Sequence, residues 1–209
     1  TKLCLNNICG DALPCAACLN PVQECDDGNL VSGDGCSDQC IPDARYVFVT
    51  KATYSGTVIG GIIGADNKCM EAANVPLLKG RNFRAWLSVS TLDAKTHVGN
   101  DPMPVVRTDG TAVVDSTAGL YSGGKLSVPI DRDEFGEQVA APGLCVSKQN
   151  IVWTGTLGDG TRDDDLCNNW SLVGMNGLMG NFSATDLTWT NCDVFDCDTP
   201  GHLYCIEVP

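Results

Sequence analysis

Tyr46-Val47-Phe48-Val49-Thr50 is an unbroken β-branched and aromatic run, and it predicts an opening strand. Gly60-Gly61 breaks the apolar pattern. Beyond it Ala65, Cys69, Met70 and Ala73 recur at helical spacing with Asp66 near the start, which predicts a short helix carrying Cys69 on its apolar face. Phe83, Ala85 and Leu87 alternate with Arg84, Trp86 and Ser88, the period of a second strand. Pro102 and Pro104 keep the next stretch out of a central strand. Val105-Val106 and Ala112-Val113-Val114 then face each other across Thr108-Asp109-Gly110, a hairpin signal. Ile151-Val152-Trp153-Thr154-Gly155 and Leu203-Tyr204-Cys205-Ile206-Glu207-Val208 predict further strands, separated by long glycine- and asparagine-rich loops. Short strands, few helices and much ordered loop make an α+β chain. Residues 4 to 42 show neither period.

That contrast is sharpened by the cysteines. Of thirteen, Cys4, Cys9, Cys15, Cys18, Cys25, Cys36 and Cys40 crowd the front, and Cys69, Cys145, Cys167, Cys192, Cys197 and Cys205 are spread over the rest. A front segment too short and polar to build a core needs cross-links or metal. The expected division is a disulfide-rich unit at 1–43, a join at Pro42-Asp43-Ala44, and a main domain at 44–209. An odd count leaves at least one thiol without an intrachain partner; Cys4 is the candidate for pairing elsewhere. Such usage points to an oxidising, extracellular or cell-surface setting. A net charge of −13 argues against nucleic acid or an anionic membrane as the main partner, and no stretch approaches the length of a membrane helix.

In the front unit, Asp26, Asp27, Asn29 and Asp34 place hard oxygens among turn-forming glycines, a set suited to calcium; the same residues equally serve as side-chain-to-backbone turns. The spacing is not that of an EF-hand. Zinc at Cys15-x-x-Cys18 or Cys36-x-x-x-Cys40 is disfavoured where disulfides form. The string Cys25-Asp26-Asp27-Gly28-Asn29, then Ser32-Gly33-Asp34-Gly35-Cys36 and Cys40, resembles the cysteine-rich, Notch-repeat-related repeat of bacterial secreted and surface proteins. That resemblance implies a disulfide-bonded, calcium-binding or plain spacer and no activity; the insertion holding Cys15 and Cys18 departs from it.

In the main domain, Gly64-Ala65-Asp66-Asn67-Lys68-Cys69, Phe83-Arg84-Ala85-Trp86-Leu87-Ser88, Val152-Trp153-Thr154-Gly155, Cys167-Asn168-Asn169-Trp170 and Leu203-Tyr204-Cys205-Ile206-Glu207 follow in order. They resemble endostatin, the C-terminal domain of certain basement-membrane collagens, and its bacterial relatives of unknown function. The resemblance spans residues 46 to 208 and implies a C-type-lectin-like fold, with an irregular mixed sheet and neighbouring ends. It also implies a Cys69–Cys205 bridge from first helix to last strand and a nested Cys167–Cys197 bridge. Cys145 and Cys192 are left over as candidates for an additional one.

Candidate chemistry is sparse. His97 and His202 stand alone, without H-E-x-x-H, and read as surface or strand-flanking residues; no G-x-S-x-G or phosphate loop occurs. Asp159, Asp163, Asp164 and Asp165 form the densest acidic loop, able to hold calcium, to meet a glycan, or simply to face solvent. Asp133, Glu134 and Asp163 are the carboxylates a hydrolase would use, the least favoured reading. The E-P-N, Q-P-D and W-N-D triplets of sugar-binding C-type lectins are absent. Asn168 and Asn169 therefore read as buried, loop-pinning amides. Trp86, Trp153, Trp170 and Trp189 read as core, with one a candidate to stack on a sugar. Endostatin's N-terminal zinc histidines have no counterpart, and its basic heparin-binding face does not suit so acidic a chain. The expectation is a non-enzymatic recognition or adhesion module for a cell-surface glycan or protein, part of a longer surface protein. The competing expectation is a homo-oligomerising cap of a surface fibre.

Overall fold

The computed structural model describes residues 30–37, 42–123, 125–139, 145 and 150–209. Asp26, Asp27 and Asn29, and Cys4, Cys9, Cys15, Cys18, Cys25 and Cys40, lie outside these. Along the chain come β1 (Arg45–Val49), β2 (Tyr54–Ser55), α1 (Gly61–Ala72), β3 (Asn82–Ala85), α2 (Ala94–Val98), β4 (Val105–Arg107) and β5 (Ala112–Val114). They are followed by β6 (Ile151–Trp153), β7 (Asn176–Asn181), β8 (Asp193–Asp196), β9 (Pro200–Gly201) and β10 (Tyr204–Val208). The architecture is mixed α+β.

Five strands form the main sheet in the order β3-β10-β1-β4-β5; β1 and β4 run parallel, the other neighbours antiparallel. β1 lies inside this sheet, and its uninterrupted apolar run is explained by burial on both faces. Tyr46 and Phe48 enter one core with Ala65, Cys69, Trp153 and Trp170, while Val47 and Val49 enter a second with Trp86, Trp189 and Ile206. A three-stranded antiparallel sheet, β6-β7-β8, and the small β2-β9 pair complete the fold.

The first helix forms over α1, where Gly60 and Gly61 turn the chain at φ 82° and 69°. Ala65 and Cys69 are fully buried, but Met70 is 41% exposed and does not belong to the apolar face. Asp66 sits in mid-helix rather than near its start: its Oδ1 accepts the Ala85 N–H at 2.9 Å and lies 2.9 Å from His97 Nε2. The second strand ends at Ala85. Trp86, Leu87 and Ser88 beyond it are all buried, because the segment passes between the two cores. The hairpin of β4 and β5 forms across residues 108–111 as its sequence predicts. β7 and β8 are new relative to the sequence pattern. They occupy part of the glycine- and asparagine-rich stretch, and Gly180 allows β7 to cross close under Trp189, whose carbonyl oxygen would lie 2.0 Å from an added Cβ.

Disulfides and buried charges fasten these parts. Cys69–Cys205 ties α1 to β10, Cys167–Cys197 closes the loop before β7 onto the end of β8, and Cys145–Cys192 adds a third bridge. Cys36 is disulfide-bonded as well. Glu207, 4% exposed, accepts the Tyr46 N–H and pairs with both Arg45 and Arg81, locking the ends of β10 and β1 together. Residues 30–37 lie against the main domain. Gly33 and Gly35 donate their N–H groups to Asp43, and Gly35 packs on the Tyr46 ring. Among the described residues no helix is long and apolar enough to cross a membrane.

Candidate functional site

Residues Cys167, Asn168, Asn169 and Trp170 are consecutive and all left-handed, at φ 50°, 49°, 56° and 63°. They make one turn of left-handed helix, closed by Trp170 N–H to the Leu166 carbonyl at 2.9 Å and Ser171 N–H to the Cys167 carbonyl at 3.1 Å. For L-residues each such position costs roughly 1–2 kcal/mol, less for Asn, so the turn persists only because its surroundings fix it. Four anchors do so. Cys167 is bridged to Cys197, and the Trp170 indole is buried with Nε1–H donated to the Ser88 carbonyl at 2.8 Å. Asn169 Oδ1 accepts the Ser90 N–H at 2.7 Å, and the Trp170 carbonyl accepts the Gly60 N–H at 3.1 Å. Gly56 and Gly177 crowd the Cys167 sulfur so closely that a Cβ on either would sit 2.7 or 2.6 Å from it.

The segment immediately after the turn faces solvent. Residues 171 to 176 are all exposed, and among them Leu172, Val173 and Met175 are 49%, 68% and 49% accessible. Val58 and Ile63, beside the Gly60 anchor, are likewise exposed. Five apolar side chains in the segments joined to the left-handed turn are thus exposed and enter neither core. Asp196 and Asp198 flank them through the Cys197 N–H bond to the Met175 carbonyl, and Asp164 lies on the approach to Leu166.

The acidic loop singled out from the sequence is a tight hairpin leading into this face. Asp159 Oδ1 accepts both the N–H and the hydroxyl of Thr161, bonds that hold its carboxyl below the usual carboxylate range. Asp163 Oδ1 accepts the Asp165 N–H at 2.9 Å. Arg162 turns away to Asp93 at 3.2 Å. Asp164 is exposed, with no side-chain partner among the described residues. Asp159 and Asp163 therefore shape the loop, Asp165 is half-buried and Asp164 is presented to solvent.

The remaining candidates are drawn into the framework. Asp133 is 1% exposed and caps a turn by accepting the N–H groups of Phe135 and Glu137, both at 2.9 Å. Glu134 accepts the Lys51 N–H at 2.9 Å, and burial raises its carboxyl above the ordinary value. Arg107 clamps Asp109 and Asp131, each at 2.7 Å. His202 Nδ1–H donates to the Thr50 carbonyl at 2.6 Å and is held below the ordinary imidazole value by burial. Asp34 lies beside Gly110 of the hairpin turn. Among the described residues no three His, Cys, Asp or Glu side chains converge as a metal would require.

Two expectations need correcting. All four tryptophans are at most 1% exposed, so none is available to stack on a sugar. Asn168 is exposed and Asn169 half-buried; only Asn169 pins a loop, and both are present because asparagine tolerates left-handed backbone. An open cleft of about 390 Å³, lined by Val113, Val114, Asp115, Ser116 and Lys125 among others, lies at the far edge of the main sheet. No protein-family model and no curated protein matches the chain.

Proposed function

We propose that the chain is a non-enzymatic extracellular recognition or adhesion module, which binds a cell-surface protein or glycan through the loops around the left-handed turn. The observation that carries this reading is the pairing of a costly, over-anchored turn with an exposed apolar segment that serves neither core. Folding alone gives no reason to hold Leu172, Val173 and Met175 in water by such means; a binding surface does. Three disulfides in the described part favour an oxidising compartment. The tasks found for Asp133 and Glu134, both bonded to backbone amides, weigh against a carboxylate hydrolase.

The fold within the α+β class is proposed to be C-type-lectin-like, of endostatin type. Pairing of the domain's first and last strands, and the bridge from α1 to β10, support it. The front unit is proposed to act as a spacer toward a longer surface protein, with calcium at Asp26, Asp27, Asn29 and Asp34; bound-metal analysis of the purified chain tests the ion. A glycan and protein array probed with the full chain, with and without calcium, tests recognition, and silence against every ligand class removes it. The exposed aliphatics also suit a homo-oligomerising cap, and a stable symmetric oligomer with no monomer in sedimentation would favour that role instead.

A further inference from the structure

The face around the left-handed turn has an unusual charge pattern. It is assembled from residues 56–63, 163–175 and 191–199, which meet through the Gly60–Trp170 bond, the Cys167–Cys197 bridge and the Cys197–Met175 bond. These segments contribute the exposed side chains of Val58, Ile63, Leu172, Val173 and Met175. They also contribute the exposed carboxylates of Asp164, Asp193, Asp196 and Asp198, and not one Lys or Arg. The nearest cation along α1, Lys68, is held over the Tyr54 ring at 5.0 Å. Asp164 and Asp198 are exposed and have no side-chain partner among the described residues.

We infer that this face docks a cationic amphipathic segment of a partner protein, with aliphatic side chains on Leu172, Val173 and Met175 and Lys or Arg toward the surrounding carboxylates. The inference rests on the recognition reading above and names the partner's chemistry. Apolar side chains alone would accept many occupants, but the carboxylate rim selects among them. An anionic membrane surface or acidic glycan is repelled. A second copy docked through the same patch would bring four exposed carboxylates against four, with no cation in either set to answer them. A partner carrying the opposite charge gains from the same rim, in encounter rate and in orientation.

The test uses the full chain and fluorescently labelled synthetic peptides of equal length and Leu content whose polar positions carry Lys, Gln or Glu. Anisotropy titration at physiological salt is expected to show binding of the Lys peptide only. Val173→Ser weakens it about tenfold, the loss of one buried aliphatic contact. Asp164→Asn and Asp198→Asn each weaken it several-fold and flatten its salt dependence. Asp115→Asn, an exposed carboxylate at the far edge of the sheet, controls for overall charge and leaves binding unchanged. Equal binding of the Gln or Glu peptide, or an Asp115→Asn effect as large as that of Asp164→Asn, overturns the inference. If an array ligand is found that the Lys peptide does not displace, the inference falls while the recognition reading stands. If the array and the peptide are both silent, both fall.

Discussion

Removing the Cys167–Cys197 bridge separates the stability of the domain from the geometry of its candidate surface. The perturbation is the double change Cys167→Ala with Cys197→Ala, compared with Cys69→Ala and Cys205→Ala. Loop closure across a sequence separation of 30 is worth about 3.6 kcal/mol, and across 136 about 5 kcal/mol. Loop length alone therefore sets the two variants about 1.4 kcal/mol apart. The four left-handed residues change that comparison, because they carry roughly 4 kcal/mol of unfavourable backbone that the first bridge restrains and the second does not. Freed from Cys197, the turn relaxes and returns part of this energy. The Cys167/Cys197 variant is then expected to lose only about 1–2 kcal/mol, leaving a gap of about 3 kcal/mol or more from the other pair. Urea denaturation measures both. Hydrogen exchange reports the local event: the Ser90 and Gly60 amides, bonded to Asn169 Oδ1 and the Trp170 carbonyl, should lose protection while β1 and β10 keep theirs. A gap near about 1.4 kcal/mol with those two amides still protected would show that the bridge does not hold the turn.

Further outcomes rest on single contacts. Gly180→Ala forces a Cβ to within 2.0 Å of the Trp189 carbonyl oxygen, so β7 must move; a loss of about 3 kcal/mol or more is expected in urea unfolding. Glu207→Gln removes the charge that two arginines share at the end of β10 and should cost about 3 kcal/mol by the same measurement. Because burial holds His202 below its ordinary value of 6.5, the unfolded chain takes up this proton first. Stability is then full above 6.5 and falls as pH drops from there toward the folded-state value, and the slope in that window should shrink in His202→Gln. Val173→Ser, at a side chain 68% exposed, should change the unfolding free energy by no more than about 0.5 kcal/mol, which marks the residue as unnecessary to folding.

Much of the frame is legible in the sequence where burial and period agree. The run at 46–50 reads as a strand because both its faces are buried, and Val105-Val106 with Val113-Val114 reads as a hairpin because a turn sits between them. Legibility fails where backbone contact replaces side-chain pattern. Asn176–Asn181 has no β-branched residue; it becomes β7 because β6 and β8 pair with it on either side and its glycines let Cys167, Trp153 and Trp189 approach. Met70 and Asp66 follow helical spacing, yet one is exposed and the other is directed to β3 and α2, a choice set by what packs on α1 rather than by period.

The candidate surface is the harder case, and its one sequence signal is the pair Asn168-Asn169 between a cysteine and a tryptophan. Asparagine is the non-glycine residue best suited to left-handed backbone, so two in succession, flanked by two side chains that must be buried, already suggest a turn with reversed hand. Without that turn, Leu172-Val173-Gly174-Met175 reads as the start of a core strand, since nothing in its composition asks for water. With it, the chain emerges from Trp170 on the outer side, Gly174 bends it at φ 70°, and the core side is not regained until Gly177. The apolar segment is exposed because its backbone leaves it no other place. That makes its exposure a property fixed by Cys167, Asn168, Asn169 and Trp170 together, and it places the selectable feature of this domain in how the loop is held as much as in the residues it displays.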